Sequence, residues 1–373
     1  MITVFLSNGD GTFRAVQTLT QPSKYIYINF ASGDVNRDGH LDLVELGSEG
    51  IFSFLGKGDG TFAAPVFTAA NVGPVPLALG DLNEDGKLDL VASREEDGVY
   101  VFTGNGDGTF TAFSYVSEFS LGAVPIAIGD FNHDGHLDVF MAGFFGSADT
   151  LPASYVVLLE GDGKGNLQPK DEPYPTGIGV GNPISLAVGD FNHDGNLDVA
   201  VCDLLKVAIV FGNGDGTFHS VGYLAGYQPE ALALGDLNSD GNTDVTVADY
   251  KSKISVLLGR RDGTFEAGSV VSDFASDVAV GDFNGDGFLD VVDSWFAGDS
   301  ALSDLLLGDG KGNFPTQRDA GSSLYSGFIT TGDFDKDGRD DLVTTDPNPD
   351  GPAVHVGFFD TAGNVTHGAF IQV

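Results

Sequence analysis

Seven short acidic strings contain the residues whose types and spacing could bind a metal ion. They read DVNRDGHLD, DLNEDGKLD, DFNHDGHLD, DFNHDGNLD, DLNSDGNTD, DFNGDGFLD and DFDKDGRDD, and they begin at Asp34, Asp81, Asp130, Asp190, Asp236, Asp282 and Asp333. In each string, side-chain oxygens at positions 1, 3, 5 and 9 can converge on one point, because the glycine at position 6 permits a sharp turn. An all-oxygen donor set selects a hard cation, and a flexible loop suits Ca²⁺ better than the smaller octahedral Mg²⁺. The strings therefore predict seven calcium sites.

At position 7 the predicted ligand is the backbone carbonyl, so the side chain there is free to vary. The predicted ligands are Asp34, Asn36, Asp38, His40, Asp42, Asp81, Asn83, Asp85, Lys87, Asp89, Asp130, Asn132, Asp134, His136, Asp138, Asp190, Asn192, Asp194, Asn196, Asp198, Asp236, Asn238, Asp240, Asn242, Asp244, Asp282, Asn284, Asp286, Phe288, Asp290, Asp333, Asp335, Asp337, Arg339 and Asp341. The histidines within the strings, His40, His133, His136 and His193, are interpreted as solvent-facing spacers.

Two other readings of the strings fit less well. Asp, Asn and Gly populate ordinary turns, but seven recurrences of the whole pattern argue against turns alone. An EF-hand needs a glutamate at position 12, where only the first string has one, Glu45. The segments that flank the strings also have the length and composition of strands rather than helices.

A second element alternates with the acidic strings and shows how the chain positions them. Glycine-rich turns of the type GNGDGTF span 104–110 and 212–218, and related turns follow the other acidic strings by roughly 20 to 30 residues. Short apolar segments rich in β-branched residues lie between the two elements. Each repeat therefore predicts four strands, with the acidic string joining the first to the second and the glycine-rich turn joining the third to the fourth.

Four-stranded units at a period near 50 residues predict an all-β fold, a seven-bladed β-propeller of four-stranded antiparallel blades. The whole chain, 1–373, forms one propeller domain in this interpretation. Its repeats lie approximately at 1–22 (a hairpin of third and fourth strands), 23–70, 71–119, 120–180, 181–226, 227–272, 273–320 and 321–373. The first hairpin can complete the blade around Asp333, which closes the ring at seven; an incomplete eighth blade is the alternative.

The acidic strings and glycine-rich turns resemble the FG-GAP, or VCBS-type, repeat family, whose blades also form the propeller of integrin α-subunits. The resemblance extends over residues 2–373. It implies a propeller with calcium between the first and second strands of each blade. The seventh string departs from the family pattern at Asp335 and Asp340, which puts its affinity and anchoring in question. Function stays open, because the family includes adhesion modules, lectins and propeller domains of some polysaccharide lyases.

Composition excludes several classes of protein. With 17 Lys and Arg against 54 Asp and Glu, the net charge of −37 would repel nucleic acid and anionic lipid. The single cysteine, Cys202, excludes a disulfide framework. No apolar stretch of 18 residues is present and the N-terminus lacks the features of a signal peptide, so we expect no membrane insertion. Because the sequence opens inside an apparent strand and turn, we expect the chain to be part of a larger multidomain protein.

The face opposite the acidic strings is where ligand binding is expected, because the loops there vary most between repeats. They contain aromatic residues that could stack on sugars or anchor a protein: Trp295, Phe144, Phe145, Tyr174, Tyr227, Tyr250 and Tyr325. The alternative for each is that it packs the loop onto the blade. We therefore expect an extracellular or cell-surface module, stabilised by calcium, that binds a glycan or an extracellular protein. A polysaccharide lyase or hydrolase is the alternative, although no histidine falls on that face.

Overall fold

A computed structural model describes most of the chain. The described residues are 2–10, 12–19, 30–73, 75–94, 98–116, 124–145, 153–170, 174–175, 183–203, 206–223, 228–249, 254–271, 275–297, 300–302, 304–319, 329–345, 353–354, 358–359, 365–366 and 371–372. They contain strands, turns and bends but no helix, and so no helix long and apolar enough to cross a membrane.

The strands follow the order expected from the repeats. They are β1 (Ile2–Ser7), β2 (Phe13–Leu19), β3 (Phe30–Gly33), β4 (Asp42–Leu46), β5 (Gly50–Phe54), β6 (Val66–Ala69), β7 (Leu77–Gly80), β8 (Asp89–Arg94), β9 (Gly98–Gly104), β10 (Phe110–Val116), β11 (Ile126–Gly129), β12 (Asp138–Phe145), β13 (Ala153–Gly161), β14 (Leu167–Pro169), β15 (Tyr174–Pro175), β16 (Ser185–Gly189), β17 (Asp198–Cys202), β18 (Val207–Gly212), β19 (Phe218–Tyr223), β20 (Pro229–Gly235), β21 (Asp244–Asp249), β22 (Ile254–Gly259), β23 (Phe265–Val271), β24 (Asp277–Gly281), β25 (Asp290–Ala297), β26 (Ser300–Leu302), β27 (Asp304–Leu307), β28 (Thr316–Asp319), β29 (Ile329–Gly332), β30 (Asp341–Thr345), β31 (Ala353–Val354), β32 (Phe358–Phe359), β33 (Val365–Thr366) and β34 (Ile371–Gln372).

Seven antiparallel sheets form the blades of a propeller, which confirms the predicted fold. Blades 1 to 6 are β3–β6, β7–β10, β11–β14 with β15 beside β13, β16–β19, β20–β23, and β24-β25-β27-β28 with β26 beside β25. The first strands of consecutive blades pack against one another, as β20 does with β16 and β24, so they line the centre of the ring. The second strands are buried along their length, as the near-continuous apolar sequences predict.

The closing blade combines the two ends of the ring. Its order is β29-β30-β1-β2, and β1 pairs with β30 from Ile2 opposite Thr345 to Phe5 opposite Leu342. The N-terminal hairpin therefore completes the blade that contains Asp333, and the ring closes at seven blades. The short strands β31 to β34 pair only among themselves in two-stranded ladders, so the described residues form no eighth four-stranded blade.

An aromatic pair joins several neighbouring blades. The phenylalanine after a glycine-rich turn contacts the phenylalanine at position 2 of the acidic loop in the preceding blade, with ring centroids 5.4 to 6.0 Å apart. The pairs are Phe13–Phe283, Phe62–Phe334, Phe218–Phe131 and Phe265–Phe191. These phenylalanines pack between blades and connect each acidic loop to the neighbouring blade.

Candidate metal centres

Each acidic string forms the loop between the first and second strands of its blade, as in blade 2 between β7 and β8. Short hydrogen bonds within the loop hold its oxygens on one side. Asp81 accepts bonds from the backbone N–H groups of Asp85 (3.0 Å) and Gly86 (2.8 Å). Asn83 Oδ1 accepts from Asp85 N at 2.9 Å, and Asp85 Oδ1 accepts from Lys87 N at 3.0 Å. The side chains at positions 1, 3 and 5 therefore face the interior of the turn.

The aspartate at position 9 is fully buried in all seven loops. In blade 2, Asp89 Oδ2 accepts a bond from Leu82 N (3.0 Å) and Oδ1 accepts one from Gly104 N (2.8 Å) at the end of β9. The other six position-9 aspartates make the equivalent pair of bonds, with Ser7 N in place of the glycine in the closing blade. This carboxylate joins the acidic loop to the third strand.

Burial of the position-9 carboxyl groups opposes their negative charge. It raises the pKa to about 6 for Asp42, Asp138, Asp198 and Asp244 and to about 7 for Asp290 and Asp341, and it also raises the pKa of Asp89. The neighbouring aspartates of each loop add like-charge repulsion. A cation in the loop would offset both effects.

The donor set fits a hard divalent cation. Asp130 Oδ1, at position 1 of the third loop, is buried and has no hydrogen-bond partner among the described residues. In the seventh loop, one carboxylate oxygen each from Asp333, Asp335 and Asp341 lies within 4.8 Å of the others. Both observations suit a shared positive ion, because a buried acceptor without a partner and crowded carboxylates are each unfavourable without one.

The seventh loop has its own anchor. In the other loops an apolar or threonine residue holds position 8, and Leu197, for example, packs on Gly129 of the preceding blade. Asp340 takes this place in the closing blade, where its Oδ2 accepts a bond from Asp282 N at 3.0 Å. The departure expected to loosen this loop is thus compensated by a hydrogen bond, although burial raises the Asp340 pKa.

The glycine-rich turns use their polar groups internally. Asp107 Oδ1 accepts bonds from Thr109 N (3.0 Å) and Thr109 Oγ1 (2.6 Å), and Asn105 Nδ2 donates to Thr109 Oγ1 at 2.8 Å. Gly106 and Gly108 have φ values of 77° and 84°, as the hairpin interpretation requires. These turns close the third and fourth strands.

The interpretation of the loop histidines as spacers was incomplete. His133 Nε2 lies 2.8 Å from Asn196 Oδ1, and His193 Nε2 lies 3.0 Å from Asn242 Oδ1, each in the next loop of the ring. His136 Nδ1 lies 2.5 Å from Glu84 Oε1 of the preceding loop. No signal in a single repeat predicts these contacts, because they depend on how neighbouring blades are placed.

On the opposite face, two blades extend beyond the others. The second strands β12 and β25 each have 8 residues, compared with 5 or 6 in the remaining blades. Their extra residues pair with β13 and β26, so segments expected to be loops are β-ribbons that project by about 7 to 10 Å. Phe144 and Phe145 lie on the first ribbon, opposite Ser154 and Ala153, and Trp295 lies on the second, opposite Leu302.

The structure places the other predicted ligand-binding aromatics differently. Tyr174 is half-buried in β15, and its ring contacts that of Phe218 at 5.8 Å in the core between blades 3 and 4. Packing accounts for this residue. Tyr227, Tyr250 and Tyr325 lie outside the described residues.

Comparisons with known proteins agree with the fold. A model of the FG-GAP-like repeat matches residues 1–45, 81–141 and 236–292. No curated protein matches the sequence of the chain. One similar solved structure is an Agrocybe aegerita lectin with specific recognition of non-reducing terminal N-acetylglucosamine; its TM-score is 0.62 at 21% identity, over 86% of this chain and 89% of that one.

Two further solved structures share the fold. BBS1N, solved in complex with ARL6DN, has a TM-score of 0.55 at 11% identity, over 91% of this chain and 99% of that one. The periplasmic gluconolactonase PpgL of Pseudomonas aeruginosa has a TM-score of 0.52 at 17% identity, over 86% and 96% of the two chains. Identities this low show a common architecture alone.

Proposed function

Because the chain is an FG-GAP-type repeat β-propeller, we propose that it is a calcium-stabilised binding module, with metal on one face and ligand on the other. The observation that carries the calcium proposal is the repetition of one all-oxygen loop in every blade, together with the unpartnered buried oxygen of Asp130. Side chains at positions 1, 3, 5 and 9 and the carbonyl at position 7 would hold each ion. Bound calcium would neutralise the crowded carboxylates and stabilise the folded state.

The ligand surface in this proposal is the face with the projecting ribbons. Phe144, Phe145 and Trp295 lie at the ends of the two second strands that are longer than the described second strands of the other blades. Aromatic residues suit stacking on a sugar ring or insertion into a protein partner. The lectin neighbour supports a glycan, and the BBS1N complex shows that this architecture also binds proteins.

We place the module outside the cell. Loops of this kind in extracellular modules bind calcium at roughly 10⁻⁴ to 10⁻³ M, a concentration that the resting cytosol does not reach. The net charge of −37 would keep the domain away from nucleic acid and anionic lipid.

Calcium titration tests the first half of the proposal. We expect calorimetry to give about seven ions per chain and expect excess EGTA to lower the melting temperature by about 10 °C or more, since each ion contributes roughly 1 to 3 kcal/mol at ten to a hundred times its dissociation constant. Asp130→Ala should reduce the stoichiometry by one. Equal melting temperatures in EGTA and in millimolar calcium would overturn this half.

A glycan array, followed by a screen of extracellular proteins, tests the second half. The Trp295→Ala variant and the Phe144→Ala, Phe145→Ala double variant should each weaken binding about tenfold or more, the loss expected when a central aromatic anchor is truncated. The matched control is Phe67→Ala, which removes an exposed phenylalanine from the outer strand β6. Equal binding by all three proteins would exclude the ribbons as the ligand surface.

The second candidate function is a polysaccharide lyase or hydrolase. The gluconolactonase neighbour shows that an enzyme can use this architecture. A lyase would generate unsaturated sugars from acidic polysaccharides, visible as an increase in ultraviolet absorbance. Turnover that is lost in a ribbon variant would favour the enzyme over the binding module.

A further inference from the structure

Contacts from position 4 of one acidic loop to the next loop connect several neighbouring loops of the ring. The backbone at position 4 is left-handed in every loop, with φ between 58° and 73°. Glycine adopts this conformation freely, whereas other residues adopt it at a cost. Only the sixth loop has glycine there, Gly285; the others have Arg37, Glu84, His133, His193, Ser239 and Lys336. Six of the seven loops therefore have a side chain at a position where the backbone conformation favours glycine.

The side chain at position 4 reaches toward position 7 of the following loop. His133 is 2.8 Å from Asn196, and His193 is 3.0 Å from Asn242, in two successive and equivalent contacts. Glu84 Oε1 at position 4 of the second loop lies 2.5 Å from His136 Nδ1 at position 7 of the third, so the same two positions meet here. Loops 2 to 5 are thus connected without a break by pairs of polar side chains.

The remaining junctions differ in chemistry. Lys336 Nζ donates to the Gly39 carbonyl of the first loop, and the Arg37 guanidinium lies beside Gly86 of the second loop. At the junction between loops 5 and 6, position 4 is Ser239 and position 7 of the next loop is Phe288, whose side chain has no polar atom.

The two connected positions are adjacent to predicted metal ligands. Position 4 lies between the ligands at positions 3 and 5, and position 7 supplies its own carbonyl. Ordering one loop around an ion would therefore fix the side chain that holds the carbonyl donor of the next loop. Binding an ion costs conformational entropy because it orders the loop. If one ordered loop also restrains its neighbour, the second ion removes less entropy when it binds, and binding becomes cooperative without a change of fold.

We propose that the position-4 side chains of loops 2 to 4 couple neighbouring metal loops, so that calcium binds loops 2 to 5 cooperatively. His133 and His193 are positioning residues in this proposal, not ligands. The inference rests on the proposed calcium function and goes beyond it, because seven equivalent sites could also fill independently.

The test measures calcium binding to the full chain by equilibrium dialysis. The double variant His133→Gly, His193→Gly removes two connections and suits the left-handed backbone, as Gly285 does naturally. We expect the wild type to show a Hill coefficient above one. The double variant should retain the full number of ions, show a lower Hill coefficient and require about fivefold more calcium for half-saturation of the affected loops.

Two further variants separate coupling from general effects. Ser239→Gly makes the same substitution where the side chain at position 7 of the next loop, Phe288, has no polar atom, and it should leave the binding curve unchanged. Asp190→Ala with Asp194→Ala removes ligands of loop 4, and in that background His133→Gly should have no further effect on the remaining sites.

The outcomes distinguish the two proposals. A wild type that binds no calcium would overturn the calcium function itself. A wild type that binds about seven ions with a Hill coefficient of one would overturn the coupling and leave calcium binding intact. A double variant whose binding curve is the same as that of the wild type would do the same.

Discussion

Blade 2 and the closing blade have the same strand order and the same acidic loop, but the chain assembles them differently. Blade 2 is continuous from β7 to β10, whereas the closing blade joins β29 and β30 to β1 and β2 from the other end of the chain. At the position where Gly104 donates to Asp89, the closing blade has Ser7, which donates to Asp341 at 2.8 Å. The Ser7 hydroxyl also donates to the carbonyl of Phe283 in blade 6.

The difference shows which features the acidic loop requires and which can be replaced. Both loops retain the buried position-9 aspartate with its two backbone N–H donors. The closing blade has exchanged a glycine for Ser7 and an apolar contact for the bond of Asp340, and both exchanges add polar contacts to blade 6. The closing blade, in which the paired strands β30 and β1 come from opposite ends of the chain, thus gains two side-chain bonds to blade 6.

The largest expected effect on stability comes from replacing Gly104, the glycine of blade 2 in this comparison. A Cβ atom at Gly104 would lie 2.1 Å from the backbone oxygen of Leu88, which cannot move without disturbing the second strand. Gly104→Ala should therefore lower the free energy of unfolding by about 3 kcal/mol or more. Ser7→Ala, its counterpart, removes a hydroxyl and should cost about 1 kcal/mol. Denaturant unfolding in calcium measures both, and equal costs would contradict the comparison.

A smaller effect concerns the junction between blade 6 and the closing blade. Asp277 accepts a bond from Ile329 N at 2.7 Å, and burial raises its pKa to about 7 from 3.8. The unfolded chain holds this proton only near pH 4, so the charged carboxylate costs stability above pH 7 and the cost disappears as the pH falls through 7 toward 4. The free energy of unfolding of Asp277→Asn minus that of the wild type should therefore be about 1 to 2 kcal/mol larger at pH 8 than at pH 5.

The control for this prediction is Asp107→Asn. Thr109 hydrogen bonds lower the pKa of this exposed carboxyl below its usual value of 3.8, so the group is ionised in both the folded and the unfolded state at pH 5 and at pH 8. Its substitution should therefore change the free energy of unfolding by the same amount at the two pH values. Chemical denaturation at the two pH values measures both variants. A difference between Asp277→Asn and the wild type that stays constant with pH would show that the native carboxyl titrates normally.

The smallest expected effect sharpens the comparison of the two loops as ion sites. The closing blade has Asp335 where blade 2 has Asn83, which adds one carboxylate to the donor set. Asp335→Asn should weaken calcium binding at one site by about tenfold or less, and Asn83→Asp should strengthen another by a similar factor, because ligand charge sets affinity in such loops. Calorimetry that shows these changes in affinity with an unchanged number of ions would support this. Affinities that are the same in the variants and the wild type would show that the position-3 side chain is no ligand.

Local chemistry explains why so much of the fold could be predicted from the sequence. Repetition of the acidic strings and glycine-rich turns identified four strands per blade, and the closing role of the first hairpin followed from counting repeats. The turn between Asn105 and Thr109 and the buried phenylalanines after such turns also follow from local chemistry, since positive-φ glycines and apolar residues at fixed spacing have few alternatives.

The contacts between blades could not be predicted in the same way. Whether His133 meets Asn196 and whether Asp340 finds a donor in Asp282 depend on how neighbouring blades are spaced and rotated. The sequence by itself determined the unit, because strand length, turn geometry and ligand spacing are properties of a few consecutive residues. Only the tertiary structure decided how the units connect, because each connection joins side chains that are about 50 residues apart or more and depends on the rigid packing of whole sheets.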